Sequence, residues 1–205
     1  MLKLYYSPGA CALASHIALE EAGADFELVK IDLSAGEQRT PEFLAVNPAG
    51  STPALVTADG ILTENSVIMA HIARTHPEAN LAEDASSFGF SKMQSLNGFL
   101  SASVHPAIGR LLFSRPPLEG ETRQAALDAA LSKYDVVEQS LLKGPWAMGE
   151  TYTVADGYLS VFTRWARQAK LLDTGRFPGL NAHLDAVQAR PAAQRAFAAE
   201  GIQAV

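Results

Sequence analysis

The first stretch of hydrophobic positions alternates with a period of two: Leu2-Lys3-Leu4-Tyr5-Tyr6 reads as a strand. Ser7-Pro8-Gly9 breaks it, and from Ala10 onward the apolar positions follow a helical period. Pro8 fixes φ and Gly9 tolerates positive φ, so a strand-turn-helix junction is expected there. Gly23 is placed to end the helix, and Phe26 to Ile31 alternates again as a second strand. Strand, helix and strand in so short a span predict a βαβ unit with a right-handed crossover. Residues 34–40 read as a loop, and Pro41 to Val46 as one or two helical turns with proline at the first position. After Asn47-Pro48-Ala49-Gly50-Ser51-Thr52-Pro53 come two short strands, Ala54-Leu55-Val56 and Ile61-Leu62-Thr63, joined by the hairpin signal Asp59-Gly60. A helix from about Asn65 to Arg74 completes a βαβ-ββα unit.

Beyond a boundary at 75–87 the pattern turns wholly helical. Met93, Leu96, Leu100, Val104, Ile108 and Leu111 mark one apolar face, ended by Arg115-Pro116-Pro117. Leu127 to Leu141 marks a second long helix, ended near Gly144-Pro145. Thr153 with Asp156 three residues on is a capping-box start for a third. Shorter helices follow at about 180–189 and 191–199. The expected architecture is α/β followed by all-α: residues 1–76, a linker at 77–86, and a helical bundle over 87–205.

Composition narrows the function classes. The chain has 205 residues, a net charge of -6 and one cysteine. With no Lys/Arg run, a nucleic-acid partner is not expected. With no apolar run near ~18 residues, neither is a membrane span. A single cysteine excludes an intrachain disulfide, and with no signal-peptide pattern at the N-terminus a cytoplasmic location is expected. No cluster has metal-ligand spacing, so no metal is expected.

The candidate chemistry lies at three places in the first 76 residues. Cys11 falls at the start of the first helix, where free N–H groups and the dipole favour a thiolate, so a lowered thiol pKa is expected. A small buried hydrophobe is the alternative for a lone cysteine. Thr52-Pro53, just before a strand, suits a cis bond that presents backbone groups to a cleft. Thr63-Glu64-Asn65-Ser66 opens a helix whose N–H groups can take a carboxylate while Glu64 takes an ammonium. Together they outline a site for a peptide-like thiol. Of the nearby side chains, one of Tyr5 and Tyr6 should face the core, Ser7 is a minor donor candidate, and His16 is off the Cys11 face.

Tyr6-Ser7-Pro8-Gly9-Ala10-Cys11, Asn47-Pro48-x-Gly50-x-Thr52-Pro53-Ala54-Leu55, Leu62-Thr63-Glu64-Asn65 and Gly149-x-x-x-Thr153-x-Ala155-Asp156 resemble bacterial glutathione S-transferases. The cysteine, with His105 in the bundle, resembles the beta class specifically. The resemblance implies a thioredoxin-like N-terminal domain, an all-helical C-terminal domain, a homodimer, and glutathione as co-substrate beside a hydrophobic electrophile or disulfide. It implies that Cys11 faces the glutathione sulfur, that Thr52 bonds its cysteinyl part with Pro53 in cis, and that Glu64 and Asn65 hold its γ-glutamyl end. His105 matches the class histidine, and Thr153 and Asp156 match a structural N-cap. Ser103 joins the glutathione-binding candidates, although Ala102-Ser103-Val104 lacks the acidic residue many members have there. Pro106 stands where a basic residue is common, and the 34–40 loop lacks a lysine that relatives use. Arg110, Phe113 and Trp165 are candidates for the electrophile pocket. The reaction implied is attack of the glutathione thiolate on an electrophile, with thiol-disulfide exchange through Cys11 beside it. A non-catalytic binding protein of the same fold is the alternative, and a glutaredoxin-like oxidoreductase a third reading.

Overall fold

The structure, a computed structural model, describes residues 1–205. The first strand, β1 (Leu2–Tyr6), is followed by α1 (Leu13–Ala22) and β2 (Phe26–Lys30). Next come α2 (Pro41–Val46), β3 (Ala54–Thr57), β4 (Gly60–Thr63) and α3 (Asn65–Thr75). The four strands lie in the order β2-β1-β3-β4, with β1 and β2 parallel and the other pairs antiparallel. This is the βαβ-ββα unit that the strand periods predict, in the thioredoxin-like arrangement that the resemblance implies. Gly23 caps α1 in the left-handed region at φ 62°. Thr40 caps α2 by accepting the Phe43 N–H, with Pro41 at the first helical position.

One irregularity bears on the site. The apolar face read along 93 to 111 is carried by α4 (Phe88–Phe99), a π-helical turn at Leu100–Val104, and α5 (His105–Phe113), the interruption that Pro106 inside a helix favours. The N–H of His105 reaches the carbonyl of Leu100. Pro106, with no N–H, cannot continue the regular ladder, and the wide turn sits immediately before it. The second long helix, α6 (Gly120–Val136), likewise ends in a π-helical turn at Val137–Leu141. Then follow α7 (Val154–Gln168), α8 (Pro178–Gln188) and α9 (Pro191–Glu200). No helix is long and apolar enough to cross a membrane.

Helix α7 is the axis of the molecule. Every residue from Val154 to Ala166 is buried. Its buried hydroxyls are satisfied locally, Ser160 donating to the Gly157 carbonyl and Thr163 to that of Leu159. One continuous apolar cluster joins Leu4, Leu13, Ile17 and Leu55 to Phe162, Trp165 and Phe197. At Gly157 a Cβ would come within 3.2 Å of the Tyr152 hydroxyl and 3.6 Å of Ile17, so the missing side chain lets α1 lie close on α7. The turn after β1 is therefore fixed against the helical half.

Candidate active site at the β1–α1 turn

A cleft of about 500 Å³ opens where the β1–α1 turn, the residues before β3 and helices α5 and α7 meet. That size suits a tripeptide-scale ligand with room to spare. Ser7, Cys11, Thr52, His105, Phe113 and Trp165 are on its wall.

Cys11 lies two residues before the first helical residue, Leu13, rather than within the first turn. Its Sγ donates to the Thr52 carbonyl at 3.5 Å. The expected thiolate is not favoured in this structure. Burial pushes the Cys11 thiol up to about 11, with the Glu64 charge adding to the rise. The neighbouring N–H groups and the Asn65 amide pull it down, but by less. Desolvation outweighs the helix start, a balance that the position of a residue in sequence does not reveal. Ser7 lines the cleft without bonding the thiol.

Thr52-Pro53 is cis, as expected. Its carbonyl is engaged by Cys11, so a ligand N–H would share it through the second lone pair. Asn65 is 5% exposed and its amide faces inward. Its Nδ2 donates to the Cys11 carbonyl at 3.0 Å, and its Oδ1 accepts from Ser15 Oγ at 2.7 Å. Both ends of the amide thus tie α3 to α1, each retaining one further hydrogen-bonding position. Its position at the start of α3 leaves its backbone N–H without an intrahelical acceptor. Glu64 is exposed and sits in the left-handed half of backbone space, at φ 68°. Such a conformation costs about 1–3 kcal/mol and concentrates at functional sites.

His105 is partly buried on the opposite wall. Its ring packs at 5.1 Å from Phe162 and 5.4 Å from Trp165, and burial lowers its pKa. Trp165 donates from Nε1 to the Gly9 carbonyl at 2.9 Å, and Phe113 meets the Trp165 ring edge-on at 5.1 Å. Two candidates are displaced. Arg110 is exposed and not on the cleft wall, and Ser103 lies on the π-helical turn, also off the wall. The wide turn rotates the residues before His105 relative to a continuous helix, which the apolar spacing alone does not show. Of the tyrosines, Tyr6 is in the core and Tyr5 packs edge-on to Phe43. No group of three His, Cys, Asp or Glu side chains converges to hold a metal.

Sequence reasoning misses the second tier. Gly9, at φ 67°, donates its N–H to Glu200 Oε2 at 2.7 Å while its carbonyl takes Trp165. Glu200 Oε1 in turn meets His16 Nδ1 at 2.9 Å. These partners lie more than 150 residues apart, so no local pattern announces them. Gln38 also faces the cleft, with its amide oxygen buried and unpartnered.

Known proteins share this fold. Residues 1–74 match the glutathione S-transferase N-terminal domain family, and residues 120–186 match the glutathione S-transferase C-terminal domain family. The chain is 34% identical to the glutathione S-transferase GstA of Escherichia coli O157:H7, over 98% of this chain and all of the relative. A sphingomonad glutathione S-transferase solved in complex with glutathione superposes with a TM-score of 0.87 at 36% identity, covering 97% of this chain and 98% of that one. A bacterial beta class enzyme from Sphingomonas chungbukensis gives 0.87 at 36% identity, covering 98% and 99%. With both halves matched and the relatives covered end to end, the chain belongs to the glutathione S-transferase family and is an enzyme of that kind.

Proposed function

We propose that this transferase binds glutathione in the cleft and conjugates it to a hydrophobic electrophile, with Cys11 acting as a hydrogen-bond donor to the glutathione sulfur. The observation that carries this is the place of the Cys11 thiol on the cleft wall with one weak acceptor, the Thr52 carbonyl, in a setting whose burial favours the protonated form. A thiol in that state is a poor nucleophile but a ready donor to another sulfur. The ligand's thiolate is stabilised by that S–H. Its cysteinyl part lies along Thr52 and Pro53, and its γ-glutamyl end meets Glu64 and the first N–H groups of α3. His105 contributes from the opposite wall as a ring held uncharged by burial. In the reaction the glutathione thiol gives its proton to solvent, sulfur bonds to the electrophilic carbon, and the leaving group departs with the carbon's electron pair. The glutathione bound in the sphingomonad relative supports the ligand, and the beta class neighbour supports the class.

Thiol-disulfide exchange is the second reading, favoured by the position of the only cysteine on the cleft wall. Here a glutathione mixed disulfide is attacked by Cys11 and its thiol partner leaves. A second glutathione then attacks the Cys11–glutathione disulfide, releasing oxidised glutathione and the Cys11 thiol. Cys11→Ala separates the two. Conjugation of 1-chloro-2,4-dinitrobenzene should fall by about tenfold, the value of one hydrogen bond, while exchange is abolished. Full exchange activity in the variant ends the exchange reading, and total loss of conjugation ends the donor reading. We also propose a homodimer, supported by exposed Ile61 on β4 and Val67 on α3. Light scattering showing a monomer at micromolar concentration overturns it.

A further inference from the structure

Behind the wall made by Pro8, Gly9, Phe113 and Trp165 lies a second cavity of about 460 Å³, sharing those four residues with the cleft. Arg164 and Gln168, one turn apart on α7, are on its far side. Arg164 is 5% exposed. Its Nη2 donates to the Gln203 carbonyl at 3.0 Å and its Nη1 to the Gln168 amide oxygen at 3.3 Å, while Nε is buried with no partner.

No carboxylate pairs with it. Arg167, Arg176, Arg190 and Arg195 each contact an Asp or Glu, and all are more exposed than Arg164. Glu200 acts on Arg164 through space, yet its two oxygens are occupied by the Gly9 N–H and His16. Buried arginines are almost always paired, because a desolvated charge with only neutral acceptors is costly. Here the unpaired guanidinium borders an open cavity that adjoins the reaction cleft, and the partition includes Phe113, which is 53% exposed. The missing counter-ion has a place to enter.

We infer that the second cavity receives the anionic end of the electrophilic substrate. That substrate is an aromatic or unsaturated electrophile bearing a carboxylate or sulfonate, its reacting carbon in the cleft and its anion against Arg164. A guanidinium suits such a group because its planar N–H donors match two oxygens at once. The inference rests on the conjugation reading above.

The test compares kcat/KM for 4-chloro-3,5-dinitrobenzoate with that for 1-chloro-2,4-dinitrobenzene in the wild type, Arg164→Met and Arg164→Lys. Comparing one substrate pair across variants cancels their intrinsic reactivities. The benzoate-to-benzene ratio should fall about tenfold in Arg164→Met, equivalent to about 1.4 kcal/mol, and less in Arg164→Lys. An unchanged ratio overturns the inference. Should Arg164→Met not fold, wild type and Arg164→Lys are titrated with 4-nitrobenzenesulfonate and the uncharged 4-nitrobenzenesulfonamide, following tryptophan fluorescence. Tighter binding of the sulfonate, weakened by the lysine, supports the inference, and equal affinities overturn it. Failure to turn over either chlorinated substrate counts against the conjugation reading, and the titration then still decides whether the cavity takes an anion.

Discussion

Two buried carboxylates, Asp156 and Glu200, meet the same difficulty in the same way, at very different reach along the chain. Asp156 accepts from the Ala147 N–H at 2.6 Å, the Thr153 N–H at 2.7 Å and His183 Nε2 at 2.8 Å. Glu200 accepts from the Gly9 N–H and from His16 Nδ1. In each pair the second imidazole nitrogen is buried without a hydrogen bond, although His16 Nε2 lies 4.0 Å from Glu20 Oε1. Asp156 holds the start of α7 to the preceding loop and to α8, entirely within the helical half. Glu200 reaches from the end of α9 to the turn that lines the cleft. The first builds the scaffold, and the second fastens the active-site turn to it.

If that division is right, breaking Asp156 should cost the most stability and breaking Glu200 the most function per unit of stability. Asp156→Ala leaves two buried N–H groups and His183 without their acceptor. Removing one partner from such a buried charged cluster costs about 3–5 kcal/mol. For a chain of this length that corresponds to a Tm about 10 °C lower. A calorimetric loss under about 1 kcal/mol would show that the capping aspartate is dispensable.

Glu200→Gln keeps an oxygen for the Gly9 N–H but sets an amide against His16. The expected cost is about 1.5–3 kcal/mol, the range for a charge-assisted bond. Because Gly9 carries the Trp165 bond on its other side, the KM for glutathione should rise as the turn loosens, an effect that Asp156→Ala lacks at a temperature where both remain folded. Equal rises in KM for the two variants would erase the distinction between them.

The same pair explains what was legible in the sequence. Thr153 and Asp156 are three residues apart, so the cap is visible as a local pattern. The strand periods, Gly23, Pro41 and the Asp59-Gly60 hairpin are local in the same sense, and the four-stranded sheet follows from them. Thr52-Pro53 and the β1–α1 turn could be located because proline fixes its own φ and glycine admits the positive φ a turn needs. Glu200 and Arg164 reach the site only through the packing of α7 and α9 on α1, and no spacing rule spans that distance. The protonation of Cys11 is illegible for a related reason. A helix start is a local feature, whereas the desolvation that overrides it comes from Thr52, His105 and the surrounding elements brought together by the fold.

Cys11 gives the finest test, since its thiol has one weak hydrogen-bond partner where each carboxylate has at least two strong ones. Its thiol is pushed from an ordinary value of 9.0 up to about 11. Below pH 9 the thiol is protonated in folded and unfolded chains alike, and the stability it contributes is fully present. Between about 9 and 11 the unfolded chain loses its proton first, so that contribution falls as pH rises and is gone above the folded value. Two units correspond to nearly 3 kcal/mol at full burial, and the partial exposure of Cys11 reduces the expected loss to about 1–2 kcal/mol. Tyrosines that titrate in the same range are common to wild type and Cys11→Ser, so the difference between their urea-unfolding free energies isolates the thiol. That difference should be constant up to about pH 8.5 and then shift in favour of the serine variant toward pH 11. A flat difference across the range would mean that the thiol is as well solvated as in the unfolded chain, and that burial does not hold the proton on Cys11.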